Sequence, residues 1–252
     1  MDLLTIEHVL PFIAVGFAAQ LVDGALGMAF GVISSTLLIS LGVPPAAASA
    51  GVHAVETFTT AASGASHAAH RNIDWRLFWR LVIPGVLGAV AGAYVLTQIA
   101  AERARPFVLG YLVIISIMLI VRGLSAAPRL RPARVVEPLG AAGGFLDAAG
   151  GGGWGPIVTS NLLMQGEAPR QTIGTVSLSE FFVTVAVSLT FLTQMGLEVF
   201  TIATLGLLIG GLLAAPFGAV LAKRLKTQTL LVLVGTVLMA TSLYGIWRAV
   251  YG

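Results

Sequence analysis

Long apolar runs separated by short polar or charged breaks organise this chain. Eight runs cover residues 9–40, 46–69, 78–100, 105–123, 138–165, 169–194, 199–222 and 227–250. The breaks carry turn residues or charge: Gly42-Val43-Pro44-Pro45, Arg71-Asn72-Ile73-Asp74, Glu102 to Arg105, Arg122 to Glu137, Gly166 to Arg170, Glu198, and Lys223 to Lys226. About 20 apolar residues in a helix span the hydrocarbon core of a bilayer. The runs are too long for barrel strands and lack their alternating pattern. Helices are the other way to satisfy backbone polar groups in lipid. The pattern predicts an all-α polytopic membrane protein.

The first and fifth runs are interrupted by glycine. One holds Gly24, Gly27 and Gly31; the other holds Gly143, Gly144, Gly150, Gly151, Gly152, Gly153 and Gly155, followed by Pro156. Glycine weakens a helix interior and permits backbone conformations that other residues avoid. Each run is therefore expected to be a pair of half-helices around an irregular turn, discontinuous or re-entrant. Irregular backbone at membrane depth is tolerated only inside protein or beside a water cavity.

The same shift, 124 residues, superposes Asp23 on Asp147, Gly27 on Gly151, Gly31 on Gly155, Gly42 on Gly166, Pro45 on Pro169 and Glu56 on Glu180. Shared apolar bias does not align rare carboxylates. The chain reads as two homologous halves, 1–124 and 125–252, forming one integrated transport domain. If all eight runs cross fully, Lys and Arg divide 8 to 6 between the two faces. If the two glycine-broken runs re-enter, they divide 11 to 3. The positive-inside rule favours the second arrangement. It makes the halves inverted repeats, each with a glycine-broken segment plus three transmembrane helices, and puts both termini outside the cytoplasm. Small-residue spacings at Gly85, Gly88 and Gly92 and at Gly206 and Gly210 are expected to pack the two halves together.

Composition sharpens this picture. The 252 residues are 57% hydrophobic and 10% charged, against about 45–50% and about 25% in soluble domains. Cysteine is absent, which excludes disulfides and thiolate chemistry. The 14 Lys and Arg against 11 Asp and Glu read as loop charge, and no nucleic-acid partner is expected. The acidic start, with Asp2 and Glu7, predicts no cleavable signal peptide.

Four carboxylates lie inside apolar runs: Asp23, Glu56, Asp147 and Glu180. Ionisable groups at membrane depth are costly and point to function. Asp23 and Asp147 precede the glycine clusters, where a capping role competes with a transport role. Glu56 and Glu180 sit mid-span, where capping does not apply, and a buried carboxyl can carry a proton at neutral pH. His53 precedes Glu56 by one turn on the same helix face. These five residues are the expected proton-coupling or gating groups. Hydroxyls follow both breaks at Ser34, Ser35, Thr36, Thr159 and Ser160, with Asn161 beside them. Exposed amides at half-helix N-termini favour an anion. The expected substrate-binding set is Gly27, Gly31, Ser34, Ser35, Gly151, Gly152, Gly153, Trp154, Thr159, Ser160 and Asn161. Phe30 and Trp154 occupy equivalent positions beside the breaks.

The duplicated elements Gly16-x6-Asp23-x3-Gly27-x3-Gly31 and Gly140-x6-Asp147-x3-Gly151-Gly152-Gly153-x-Gly155-Pro156 resemble the TauE/SafE sulfite exporter family of small bacterial permeases. Pro45 with Glu56, and Pro169 with Glu180, extend the likeness over essentially the whole chain. The resemblance implies transport of a small sulfur-containing anion such as sulfite or an organosulfonate across the bacterial inner membrane. The first half departs from the glycine-rich form, with Met28-Ala29-Phe30 where the second has Gly152-Gly153-Trp154.

These readings converge on a secondary active transporter working by alternating access, with protons as the coupling ion, the bilayer as its environment, and no cofactor. A divalent-cation transporter or channel using the carboxylates is the alternative. An intramembrane enzyme is a third reading, without a matching motif: there is no Gly-x4-Gly-Lys-Ser/Thr loop, no His-Glu-x-x-His and no Gly-x-Ser-x-Gly.

Overall fold

The structure is a computed structural model that describes residues 6–26, 28–125, 132–200, 202–224 and 227–251. All regular structure among them is helical. The order is α1 (Ile6–Leu26), α2 (Phe30–Ser40), α3 (Pro45–Ala69), α4 (Trp75–Gln98), α5 (Ala101–Leu124), α6 (Glu137–Gly150), α7 (Ser160–Gln165), α8 (Pro169–Met195), α9 (Ile202–Arg224) and α10 (Thr227–Tyr251). A π-helical turn, Gly155–Thr159, leads into α7, and a 3₁₀ turn, Leu197–Val199, follows α8.

The first apolar run divides into α1 and α2, and the fifth into α6 and α7, each at its glycine-rich segment. Helix starts elsewhere follow local chemistry. Pro45 and Pro169 begin α3 and α8, where a missing N–H costs nothing. Asp74 caps α4, accepting from the amides of Arg76 at 2.9 Å and Leu77 at 3.1 Å. This cap starts the helix three residues before its apolar run, so Arg76 and Arg80 ride on helix rather than loop. Arg103, Arg105 and Arg122 likewise belong to α5.

Three helical segments among the described residues are long and apolar enough to cross a membrane: α4, α5 and Arg170–Met195 of α8. Their outer surface suits lipid. Ile83, Leu87, Phe107, Ile114, Leu189 and Leu212 are exposed, as are Trp75, Trp79, Tyr244 and Trp247 near helix ends. Such aromatics favour the headgroup region.

Helices pair mostly across the two halves of the chain. The strongest associations are α1 with α9, α4 with α6, α5 with α10, and α3 with α8. Exchanging the halves maps this set onto itself. Backbones touch in the first two pairs because glycine faces carbonyl. A Cβ on Gly88 would stand 2.0 Å from the Ala141 carbonyl oxygen, and one on Gly144 2.1 Å from that of Gly85. In α9 a Cβ on Gly210 would stand 2.0 Å from the Ile13 oxygen. The small-residue spacings thus join α4 to α6 and α9 to α1.

Polar bonds tie the helix ends. The Asp74 amide donates to Thr175 Oγ1 at 2.9 Å, and Arg80 pairs with Glu137 at 2.5 Å. Gln165 Oε1 accepts from the amides of Arg134 and Val135 at 2.9 and 3.1 Å. The end of α7 thereby returns beside the start of α6. Arg105 donates to the Gly42 carbonyl at 3.1 Å, joining the start of α5 to the turn after α2.

Gly88→Ala should force α4 and α6 apart and destabilise the protein by about 1–3 kcal/mol. Gly110→Ala, where an added Cβ meets nothing within 4 Å, should be neutral or slightly stabilising. Thermal unfolding of both variants in one detergent checks the contrast; equal melting temperatures would contradict it.

Candidate functional site

The two broken helices meet at the centre of the molecule. Gly151, Gly152 and Gly153 take φ of 76°, 138° and 146°, a run open only to glycine without strain. Ala29, in the equivalent turn of the first half, takes φ of 96°. A Cβ on Gly31 would stand 2.8 Å from Gly152 Cα, and one on Gly152 2.3 Å from the Gly31 carbonyl carbon. The start of α2 therefore crosses the second break in direct backbone contact.

Both breaks are closed by the same device. Asp23 Oδ1 accepts the Phe30 amide at 3.1 Å, and Asp147 Oδ1 accepts the Trp154 amide at 2.8 Å. In each case a carboxylate in the last turn of the first half-helix reaches seven residues on, to the first amide beyond the break. The orphan donors of a helix start are thus partly satisfied within the chain.

Side chains from other helices hold the second break. Ser35 donates to the Gly151 carbonyl, Ser49 to that of Ala148 at 2.7 Å, and Tyr111 to that of Gly152 at 3.0 Å. His53, fully buried, contacts the Ser49 carbonyl through Nδ1 at 2.7 Å and Asp147 Oδ2 through Nε2 at 3.0 Å. A carbonyl only accepts, so Nδ1 carries hydrogen. A further proton must lie between Nε2 and Oδ2, because two lone pairs would otherwise face each other. The pair is imidazolium with carboxylate, or imidazole with carboxylic acid. Its net charge is zero either way, which makes burial of Asp147 tolerable.

Asp23 has no such partner. The residue equivalent to His53 is Ser177, and here a cavity of about 250 Å³ opens instead. Asp23 and Gln20 line it from α1, Phe30 from α2, Glu56, Thr59, Thr60, Ser63 and His67 from α3, and Ile173, Ser177 and Glu180 from α8. Glu56 is 6% exposed, and its carboxyl lies against Gly31 at the start of α2. Its Oε2 has no hydrogen-bond partner among the described residues, nor does Oε1 of Gln20. Buried acceptors of this kind call for a proton, water or ligand. Among the described residues, no lysine or arginine lines the cavity.

The expected residues divide clearly. Asp23, Glu56 and Glu180 share the cavity, while His53 and Asp147 pair behind it, under the second break. Of the expected substrate-binding set, Gly27 lies outside the described residues, and none of the others lines this cavity. Gly31 and Gly152 form the crossing, and Ser35 binds Gly151. Trp154 is fully buried, its ring nitrogen donating to the Val176 carbonyl at 3.3 Å. Asn161 donates to the Ile157 carbonyl at 2.8 Å. Ser34 and Thr159 are buried, Ser34 Oγ without a partner. Ser160 points to Met28 Sδ at 4.0 Å and borders a separate pocket. Phe30 lines the acidic cavity, although its equivalent Trp154 does not.

Sequence reasoning passed over Gln20, Thr59, Thr60, Ser63 and Tyr111. Most carried a signal. Glu56, Thr60, Ser63 and His67 recur at helical spacing, and Gln20 sits one turn before Asp23. Nothing local marks Tyr111, which acts across the fold. Among the described residues, no three His, Asp or Glu side chains are grouped to hold a metal ion.

Multiple apolar helices, two of them broken at a backbone crossing beside a polar internal cavity, define a multi-pass membrane transport protein. The family model described as "Sulfite exporter TauE/SafE" matches residues 12–245, and the chain belongs to that family. It is also 41% identical over 238 residues to "Probable membrane transporter protein YtnM" of Bacillus subtilis (strain 168), covering 91% of this chain and 79% of that protein. No solved structure matches the chain.

Asp147→Ala removes a cap and strands a buried histidine, and should cost about 3–5 kcal/mol. Asp23→Ala removes a cap beside a cavity and should cost about 1–2 kcal/mol. Melting temperatures of the two variants in detergent check the ranking; an Asp23 variant at least as damaged as the Asp147 variant would contradict it.

Proposed function

We propose that this protein is a proton-coupled secondary transporter of a small sulfur-containing anion, sulfite or an organosulfonate, working by alternating access. The carrying observation is the acidic cavity at the crossing, lined by Asp23, Glu56 and Glu180 with no lysine or arginine among the described residues that border it. An ionised carboxylate repels an oxyanion strongly in a low-dielectric site. A carboxylic acid instead donates a hydrogen bond to it. The anion therefore enters this cavity only together with protons on Glu56 and Glu180. Coupling follows from the lining itself. Hydroxyls of Ser63 and Ser177 supply further donors that do not titrate. The sulfur chemistry of the substrate rests on the family.

Residues 1–124 and 125–252 act as inverted repeats in this reading. Gly140 and Gly144 of α6 lie against Leu81 and Gly85 of α4, so these helices run in the same direction. Gly206 and Gly211 of α9 lie against Phe12 and Gln20 of α1, which gives the equivalent pair the same sense. The return of α7 to the start of α6 supports a re-entrant hairpin there. The close of α2 beside Arg105, at the far end of α5, supports a second hairpin entering from the other face. Arg71, Arg76, Arg80, Arg134 and Arg170 gather around the first entrance, which supports a cytoplasmic face there and termini outside in a bacterial inner membrane. Alternating access is then a rocking of these halves about the Gly31–Gly152 contact.

The same acidic lining favours a divalent-cation transporter as the second reading, and flux assays separate the two. In proteoliposomes, wild type should accumulate sulfite or a small sulfonate when a proton gradient is imposed, and Mn²⁺ flux should be absent. Glutamine keeps a donor but does not ionise. Glu56→Gln and Glu180→Gln should therefore retain anion exchange while losing gradient-driven accumulation. Full gradient-driven accumulation in both variants would remove proton coupling, and Mn²⁺ flux without anion flux would replace the anion reading.

A further inference from the structure

On the other side of the first break lies a second, smaller pocket of about 130 Å³. Arg122 and Ser125 border it from the end of α5, Ser160 and Leu163 from α7, Gln228 from α10, and Met28 from the break itself. Arg122 is half-buried, and its guanidinium makes no hydrogen bond or ion pair with any described residue. The Ser160 hydroxyl is fully buried, and its hydrogen-bond partner among the described residues is the Met28 sulfur at 4.0 Å. Thioether sulfur is a weak acceptor, so this hydroxyl is nearly free to serve another partner. Among the described residues, no carboxylate lines the pocket.

A partly desolvated guanidinium without a counter-ion is unfavourable, and an oxyanion relieves it. Arginine presents paired N–H groups that match two oxygens of a sulfite, sulfonate or similar oxyanion. The volume suits a group of that size. Met28 and Phe30 are two residues apart, and Phe30 lines the acidic cavity. The two pockets thus flank one short turn of backbone.

We propose that the Arg122 pocket is a second anion-binding site, a docking point for a small oxyanion held by Arg122, Ser160 and Gln228 beside the first break. The role of that site in transport rests on the reading above. It supplies the fixed positive charge that the acidic cavity lacks: Arg122 concentrates the anion at the break, and protonated carboxyls receive it. Arg122 takes no part in proton coupling.

Sulfite and methanesulfonate binding to the full-length protein in detergent, measured calorimetrically, tests the site. Arg122→Gln should weaken binding about tenfold or more, and Arg122→Lys less. Ser160→Ala, with the arginine intact, should weaken binding severalfold. Unchanged melting temperatures of the ligand-free variants exclude misfolding as the cause. Binding that depends on Arg122 supports the site even where no flux is seen, in which case the transport reading falls. Flux with binding indifferent to Arg122 and Ser160 overturns the site and leaves the transport reading in place. Absence of binding in wild type overturns the site outright.

Discussion

Two backbones touch where Gly31 meets Gly152, and the architecture depends on that contact. Neither position admits a side chain. Contact this close requires the chain to leave helical geometry at the second break, and three successive left-handed glycines allow it. Leaving helical geometry frees amides and carbonyls in a place without bulk water, and each must find a partner. Asp23 and Asp147 take the amides, while Ser35, Ser49 and Tyr111 take the carbonyls. The polar residues of α2, α3 and α5 that face the centre are thus largely consequences of the crossing.

What remains after this satisfaction is informative. Under the second break His53 pairs with Asp147. Under the first, serine stands where histidine would, and an acidic cavity is left. The two breaks share the aspartate cap but differ beside it: a buried His53–Asp147 pair at one, a polar chamber at the other. Both glutamates line this chamber, and Glu56 also lies against the start of α2 at Gly31. The touching glycines and the carboxyls of the chamber lie within a few residues of each other.

Much of this was legible in the chain. Glycine clusters marked both breaks, and aspartates just before them marked the caps. Mid-span glutamates marked the chamber, because carboxyls at membrane depth have few structural uses. The hydroxyls at Ser34, Ser35 and Thr159 to Asn161 read as substrate ligands, yet Ser35 and Asn161 are engaged with backbone. A pattern along one helix does not reveal which carbonyl of another helix is left without a donor. The contributions of Tyr111, Ser49 and Arg122 were hidden for the same reason. Each acts on a segment distant in sequence, and Arg122 looked like loop charge until α5 was seen to carry it to the pocket.

The central claim is that an anion enters an acidic chamber only in company with protons. Its most direct test is the proton balance of binding itself, in the purified protein. Sulfite titrations near neutral pH, repeated in buffers of different ionisation enthalpy, should show net proton uptake by the protein as the anion binds, after correction for the ligand's own ionisation. Binding with no proton uptake, and with an affinity indifferent to pH, would contradict the account.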